Sequence, residues 1–72
     1  MFSITTDDQR RHTRTALRTF LLSNFATDDE VWELSSTRTL MIGDGNDLDE
    51  DDQADAVLLG TVAEYAASLD DA

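Results

Sequence analysis

The fold predicted from the sequence depends most on the stretch Gly43-Asp44-Gly45-Asn46-Asp47-Leu48-Asp49-Glu50-Asp51-Asp52. Within it, Asp47–Glu50 has the spacing of a capping box, in which an aspartate accepts a hydrogen bond from a free amide and Glu50 bonds back to the cap amide. The six carboxylates of this stretch also favour a helix start, because they lie near the positive end of the helix dipole. We therefore expect a long helix to begin at about residue 48.

The residues that follow repeat with helical spacing and predict that this helix continues to about residue 69. At 100° per residue, the main apolar side chains fall within an arc of about 80°, and we expect this face to be buried. The face consists of Ala54, Leu58, Val62, Tyr65 and Leu69. Gly60 is its weak point, since glycine costs roughly 1 kcal/mol relative to alanine inside a helix.

A second long amphipathic helix is predicted over residues 7–25. It begins at a further capping-box pattern, Thr6-Asp7-Asp8-Gln9. Its apolar face contains four large side chains at helical spacing, Leu17, Phe20, Leu21 and Phe25. Four of the five arginines also lie on this segment, whereas the acidic residues concentrate in the other half of the chain.

The middle of the chain supports two interpretations. Thr27-Asp28-Asp29-Glu30 is a third capping-box pattern, which favours a short helix over about residues 28–34, followed by an extended linker. The alternative is a small hairpin in which Val31–Leu34 pairs with Arg38–Ile42. We prefer the helix because of the cap. The predicted fold class is therefore all-α: a small bundle with two long amphipathic helices, about 7–25 and 48–69, and one short helix in a single domain, residues 1–72.

The length and the charge of the chain restrict its function. With 72 residues it has a marginal core, and its net charge of −11 disfavours direct contact with nucleic acid or with an anionic membrane. With no cysteine and one histidine, a thiolate site or a multi-histidine zinc site within one chain is excluded. No apolar run is long enough to span a membrane and the first residues lack signal-peptide features, so we expect a cytoplasmic protein.

The acidity itself has two explanations. The chain has no lysine and has twelve aspartates against four glutamates, a composition similar to that of proteins from salt-loving archaea or from high-GC bacteria. In the first case the charge is an adaptation to salt. In the other explanation, the acidic surface serves to bind a partner.

The sequence predicts no catalytic, cofactor-binding or metal-binding residue. Three aspartates alternate as the first ligands of an EF-hand loop do, Asp47, Asp49 and Asp51. The calcium pattern then fails, because Asp52 takes the place of its glycine and Leu58 that of its bidentate glutamate. The carboxylates lie in a polar loop without a nucleophile, and His12 is expected as a solvated helix residue. We therefore predict that the protein is not an enzyme.

One segment of the first predicted helix is similar to a known family. The segment Leu17-Arg18-Thr19-Phe20-Leu21-Leu22-Ser23-Asn24-Phe25 resembles the first helix of stand-alone acyl carrier proteins, and Leu34 with Thr39-Leu40 resembles the long loop after it. The resemblance implies a small acidic helical bundle. It also implies a phosphopantetheine arm on the serine of an Asp-Ser-Leu motif, which begins the second helix of that family.

The attachment serine of that family is absent from this chain. In one alignment Gly45-Asn46-Asp47-Leu48 stands at the motif, and Asp47 replaces the serine. In a second alignment Thr61-Val62-Ala63-Glu64-Tyr65 resembles the start of the family's final helix, so that the serine-bearing helix is missing. Either alignment implies a degenerate carrier that keeps a docking surface and has lost the arm.

Together these observations predict a non-enzymatic, acidic, helical protein-interaction module. Because its core is small, we expect it to self-associate as a homodimer in a four-helix arrangement and to have room for a protein partner. Three alternatives remain: a degenerate acyl-carrier-like protein, an acidic mimic of DNA, and a weak calcium-binding protein.

Overall fold

A four-stranded antiparallel sheet, flanked by short helices, forms the fold in a computed structural model that describes residues 1–69. The strands are β1 (Phe2–Ile4), β2 (Glu30–Leu34), β3 (Leu40–Gly43) and β4 (Ala56–Thr61). The helices are α1 (Thr6–Arg10), α2 (Arg14–Asn24), α3 (Glu50–Asp55) and α4 (Val62–Leu69), with a 3₁₀ turn at Gly45–Asp47. The predicted all-α fold is therefore wrong, and the helical bundle implied by the resemblance to acyl carrier proteins is not formed.

The first predicted helix, residues 7–25, is broken into α1 and α2. The Thr5 side chain caps α1 by accepting a hydrogen bond from the Asp8 amide at 3.3 Å. Thr13 caps α2 in the same way, accepting from the Ala16 amide at 3.1 Å. The backbone of an N-cap residue is extended and not helical. The cap at Thr13 therefore interrupts the predicted helix and starts a new one. The predicted apolar face lies on α2 and packs in the core.

The short helix predicted over residues 28–34 is also wrong, and the hairpin alternative is what forms. In the centre of this hairpin, three residue pairs join β2 to β3: Val31↔Ile42, Trp32↔Met41 and Glu33↔Leu40. In place of the expected capping box at Thr27–Glu30 there is a turn, in which the Asp29 carboxylate accepts a hydrogen bond from the Ala26 amide at 3.2 Å. β-branched and aromatic residues follow directly, and they favour a strand.

The long helix predicted over residues 48–69 is interrupted by β4. The expected capping box at Asp47–Glu50 does not start it: α3 begins after Asp49, which makes no side-chain capping hydrogen bond, and it has only six residues. A capping box forms later, where the Thr61 hydroxyl accepts from the Glu64 amide at 3.2 Å and Glu64 Oε1 accepts from the Thr61 amide at 3.1 Å. Gly60 has φ +130°, a conformation that excludes a helix at this point.

One face of the sheet is covered by α2 and α4, which pack against each other. The buried core on this face draws on both helices and on β1, β2 and β3. Its members are Ile4, Leu17, Leu21, Val31, Leu40, Ile42 and Val62. Since helices with one apolar stripe must bury it against another layer, this face accounts for the pattern of large apolar residues in α2 and α4.

The opposite face of the sheet is crossed by residues 44–55, which join β3 to β4 and which we call the acidic crossover. Gly45 in this segment lies against Trp32, since a Cβ atom at Gly45 would be 2.6 Å from Cζ2 of the indole. Real Cβ atoms essentially never come within 3.0 Å of such an atom, so glycine is required here. Leu48 of the same segment is buried.

The described helices are all short. The longest, α2, has 11 residues, and α4 has 8. Within residues 1–69, none has both the length and the apolar character needed to cross a membrane.

Candidate functional site

The strongest candidate for a binding surface is strand β4, which lies at one edge of the sheet in the order β1-β3-β2-β4. Three consecutive apolar residues are exposed on it: Val57 at 52%, Leu58 at 49% and Leu59 at 39%. No residue of Ala56–Thr61 is charged and none is proline. Natural edge strands are usually guarded by charge, proline or a covering element, because a bare apolar edge pairs with other strands.

The register of β4 shows which of its backbone groups face away from the sheet. The Ser35 amide donates a hydrogen bond to the Asp55 carbonyl at 3.0 Å. This bond makes Leu34 and Ala56 a non-hydrogen-bonded pair of the antiparallel ladder. Because the two kinds of pair alternate, Leu58 occupies the same kind of position two residues later. The amide and carbonyl groups of Ala56 and Leu58 therefore point outward, along the open edge.

A bulge separates the two halves of this strand. The register with β2 shifts between Val31, which pairs with Gly60, and Trp32, which pairs with Leu58, so that Leu59 is the extra residue. A bulge bends its strand and increases the local twist. The regular part of the open edge is therefore the segment from Ala56 to Leu58.

Side-chain hydrogen bonds hold both ends of β4. At the start, Asp55 Oδ2 accepts from the Ser36 amide at 3.1 Å and from the Ser36 hydroxyl at 2.5 Å. These two bonds lower the pKa of Asp55 below its ordinary value, because they favour the charged carboxylate. At the far end, the capping box of Thr61 and Glu64 fixes the passage into α4. The strand is thus anchored at both ends, and its apolar centre is exposed between them.

Trp32 lies next to β4 and is the only tryptophan of the chain. It pairs with Leu58 across the strands, and paired residues share a face of the sheet. Its indole Nε1 is buried and has no hydrogen-bond partner among the described residues. A change at the edge of β4 therefore reaches the one indole fluorophore of the protein through a direct neighbour.

The acidic crossover does not gather its carboxylates into a metal site. Asp44 Oδ1 accepts from the Asn46 amide at 3.0 Å, and Glu30 Oε1 accepts from the Gly45 amide at 2.9 Å. These side chains thus support the loop backbone at the rim of a cleft of about 430 Å³ beside Trp32. Within residues 1–69 no three potential ligand side chains come together to hold a metal ion.

His12 lies in the break between α1 and α2 rather than inside a long helix. Its Nδ1 is 2.7 Å from the backbone carbonyl oxygen of Asp8. The ring therefore bonds to the backbone in an exposed setting.

Sequence reasoning missed the edge of β4, because Leu58 fitted the helical period of the predicted last helix. The available signal was the uninterrupted apolar run Ala56–Leu59 followed directly by Gly60, which is typical of a short strand with a bulge.

Comparison of the chain with models of known families, with curated proteins and with solved structures gave no match.

Proposed function

We propose that this chain is a non-enzymatic protein-interaction module that binds an extended polypeptide segment along β4. The observation that carries the proposal is the exposure of Val57, Leu58 and Leu59 on an uncharged edge strand. The outward backbone groups of Ala56 and Leu58 supply hydrogen bonds to an added strand. In this mode of recognition the main chain provides affinity and alternate side chains provide specificity.

The expected affinity follows from the size of the edge. Fully burying a valine or leucine side chain contributes about 1.5–3 kcal/mol, and these three side chains are already about half buried, so each adds roughly 1 kcal/mol. Up to four backbone hydrogen bonds add about 1 kcal/mol each. Association costs at least about 4 kcal/mol of lost translational and rotational freedom. The balance of at most about −3 kcal/mol predicts weak and reversible binding, with a Kd in the millimolar range.

A synthetic strand tests the proposal directly. The probe is a blocked peptide that carries the six residues of β4, with one arginine added at each end to complement the acidic chain. We expect it to shift the amide resonances of Ala56 and Leu58 and to change the emission of Trp32. Measurement is by ¹⁵N-resolved NMR and fluorescence titration.

Two controls separate strand addition from unspecific apolar contact. The same peptide with alternate backbone amides N-methylated keeps the side chains but cannot form the ladder, and we expect no binding. In the protein, Leu58→Lys should abolish the effect, whereas Leu22→Lys, at a similarly exposed leucine of α2, should leave it intact. The proposal would be contradicted if Leu58→Lys and Leu22→Lys responded equally to the peptide. It would also be contradicted if the wild type showed no resonance shift at millimolar peptide.

A further inference from the structure

We infer that the segment bound by β4 is β4 of a second copy of this chain, paired antiparallel about a two-fold axis at Val57. This inference rests on the proposed function and names its partner. It concerns the regular part of the open edge, which ends where the bulge begins at Leu59.

The backbone selects this register. The outward groups belong to Ala56 and Leu58, and a hydrogen-bonded pair of an antiparallel ladder needs outward groups on both residues. Self-pairing satisfies this requirement when Ala56 of each copy lies opposite Leu58 of the other. Val57 then lies opposite its own counterpart as the central non-hydrogen-bonded pair. All four outward groups of each copy are used, and no bulged residue takes part.

The side chains at such an interface are self-complementary. Val57, whose side chain is 52% exposed, would meet a second valine at the closest spacing of the ladder. Leu58 would meet the small Ala56 of the other copy beside Trp32. The valine pair lies on one face of the joined sheet and the two leucine–alanine pairs lie on the other, so each face receives an apolar contact.

Charge is the main opposition to self-pairing, and its arrangement keeps the opposition small. Each copy carries a net charge of −11, but the six residues of β4 are uncharged. In this register the two Asp55 residues are four strand positions apart, roughly 13 Å. That separation exceeds the Debye length of about 8 Å at physiological ionic strength. Salt therefore strengthens self-pairing, whereas it weakens pairing with a basic strand.

The arrangement also closes on itself. A two-fold axis at β4 uses both β4 edges and joins the two sheets into one of eight strands, twice the four of each copy. The remaining edges are β1, which has three residues and packs its Phe2 ring against Phe20 and Phe25. The interface is smaller than the roughly 1,200 Å² of stable complexes, so we expect a weak dimer in exchange with the monomer.

Sedimentation equilibrium of the full chain tests the inference, over about 10 μM to 1 mM protein in low and in molar potassium chloride. We expect the mass to rise with concentration from 8.0 kDa towards twice that value. The dissociation constant should fall by at least about fivefold in molar salt, because screening relieves self-repulsion. Val57→Lys should remain monomeric in both salts, and Leu22→Lys should behave as the wild type.

A disulfide version of the experiment works even where lysine disturbs the fold. The chain has no cysteine, so Val57→Cys introduces a single thiol at the proposed axis. Opposed residues of a non-hydrogen-bonded pair have Cβ atoms about 4.5–5.5 Å apart, close to the spacing of a disulfide. Mild oxidation should convert Val57→Cys to a covalent dimer at least about tenfold faster than Leu22→Cys.

The outcomes separate this inference from the proposed function. A wild-type mass of 8.0 kDa at every concentration in both salts overturns self-pairing, and peptide binding at β4 would then leave the interaction module standing with a different partner. A dimer that survives in Val57→Lys and cross-links equally through Leu22→Cys would mean that another surface is used. Loss of both self-association and peptide binding would remove both proposals.

Discussion

The two outer strands of the sheet differ in length and in what covers them. β1 has three residues, and its Phe2 ring lies 5.8 Å from the ring of Phe20 and 5.4 Å from that of Phe25. β4 has six residues and exposes three apolar side chains in a row, between ends that are held by Asp55 and Glu64. β1 is short, and two other rings hold its Phe2 side chain, which stays 46% exposed, whereas β4 is long, uncharged and anchored at both ends.

This difference shows how a small chain can control where it pairs. A sheet with two bare edges would add strands at both ends and grow, whereas a sheet with one bare edge stops after a single addition. Only seven buried side chains form the core cluster within residues 1–69, so this part of the chain has little apolar surface to spare on an unused edge. The contrast between β1 and β4 is the basis of the proposed pairing at a single edge.

The contrast is tested most strongly by removing one of the rings that hold Phe2 of β1. We expect Phe20→Ala to lower the free energy of unfolding by about 2–3 kcal/mol, less than the 3–5 kcal/mol of a fully buried phenylalanine, because Phe20 is partly buried. The variant should also self-associate more strongly, because the Phe2 side chain loses one of its ring partners and becomes more exposed. Urea denaturation followed by Trp32 emission measures the first effect, and light scattering measures the second.

Leu22→Ala is the matched control, because Leu22 lies on the same helix but is exposed. We expect it to change stability by no more than about 0.5 kcal/mol. If Phe20→Ala were equally mild and scattered no more light than Leu22→Ala, the aromatic cluster would not be what holds β1.

A smaller effect is expected at the bulge that ends the regular part of β4. Gly60 has φ +130°, a region that L-residues with a side chain rarely adopt. Gly60→Ala should therefore cost about 1–2 kcal/mol in thermal or chemical unfolding. A gain of about 0.4–1 kcal/mol, which the same substitution gives where the backbone suits alanine, would contradict the positive φ.

These positions also show how much of the fold could be predicted from the sequence. The apolar face predicted for the first helix was useful, since Leu17 and Leu21 are buried in α2. The helix boundaries were wrong because the capping-box spacing occurs several times and only tertiary contacts decide which copy forms. The pattern at Asp47–Glu50 makes no cap, whereas the unrecognised pattern at Thr61–Glu64 does.

The sequence did not reveal β4 as an edge strand, because Leu58 coincides with the helical period of the residues that follow it. Val62, Tyr65 and Leu69 form a genuine helical face in α4, and Leu58 happens to extend it by one step. Its exposure of 49% shows that it does not belong to that face. An edge strand is defined by which neighbour is missing, and this depends on the pairing of segments far apart in sequence. Local periodicity contains no information about that pairing.

The smallest expected effect concerns the side-chain hydrogen bonds that anchor the start of β4. In β1, aromatic contacts of Phe2 take that place. The two hydrogen bonds from Ser36 hold the pKa of Asp55 below its ordinary value of 3.8. An unfolded chain then binds a proton at Asp55 more readily than the folded chain. The stabilisation of the fold by these two bonds is complete above pH 3.8 and is lost as the pH falls through the lower folded pKa.

Ser36→Ala should raise the pKa of Asp55 towards 3.8 and flatten the acid limb of the profile of unfolding free energy against pH. Carboxyl ¹³C titration by NMR reads this directly, with Ser35→Ala as the neighbouring control because its contact with Asp55 is through the backbone. An Asp55 titration that is unchanged in Ser36→Ala would show that the side chain does not anchor the strand.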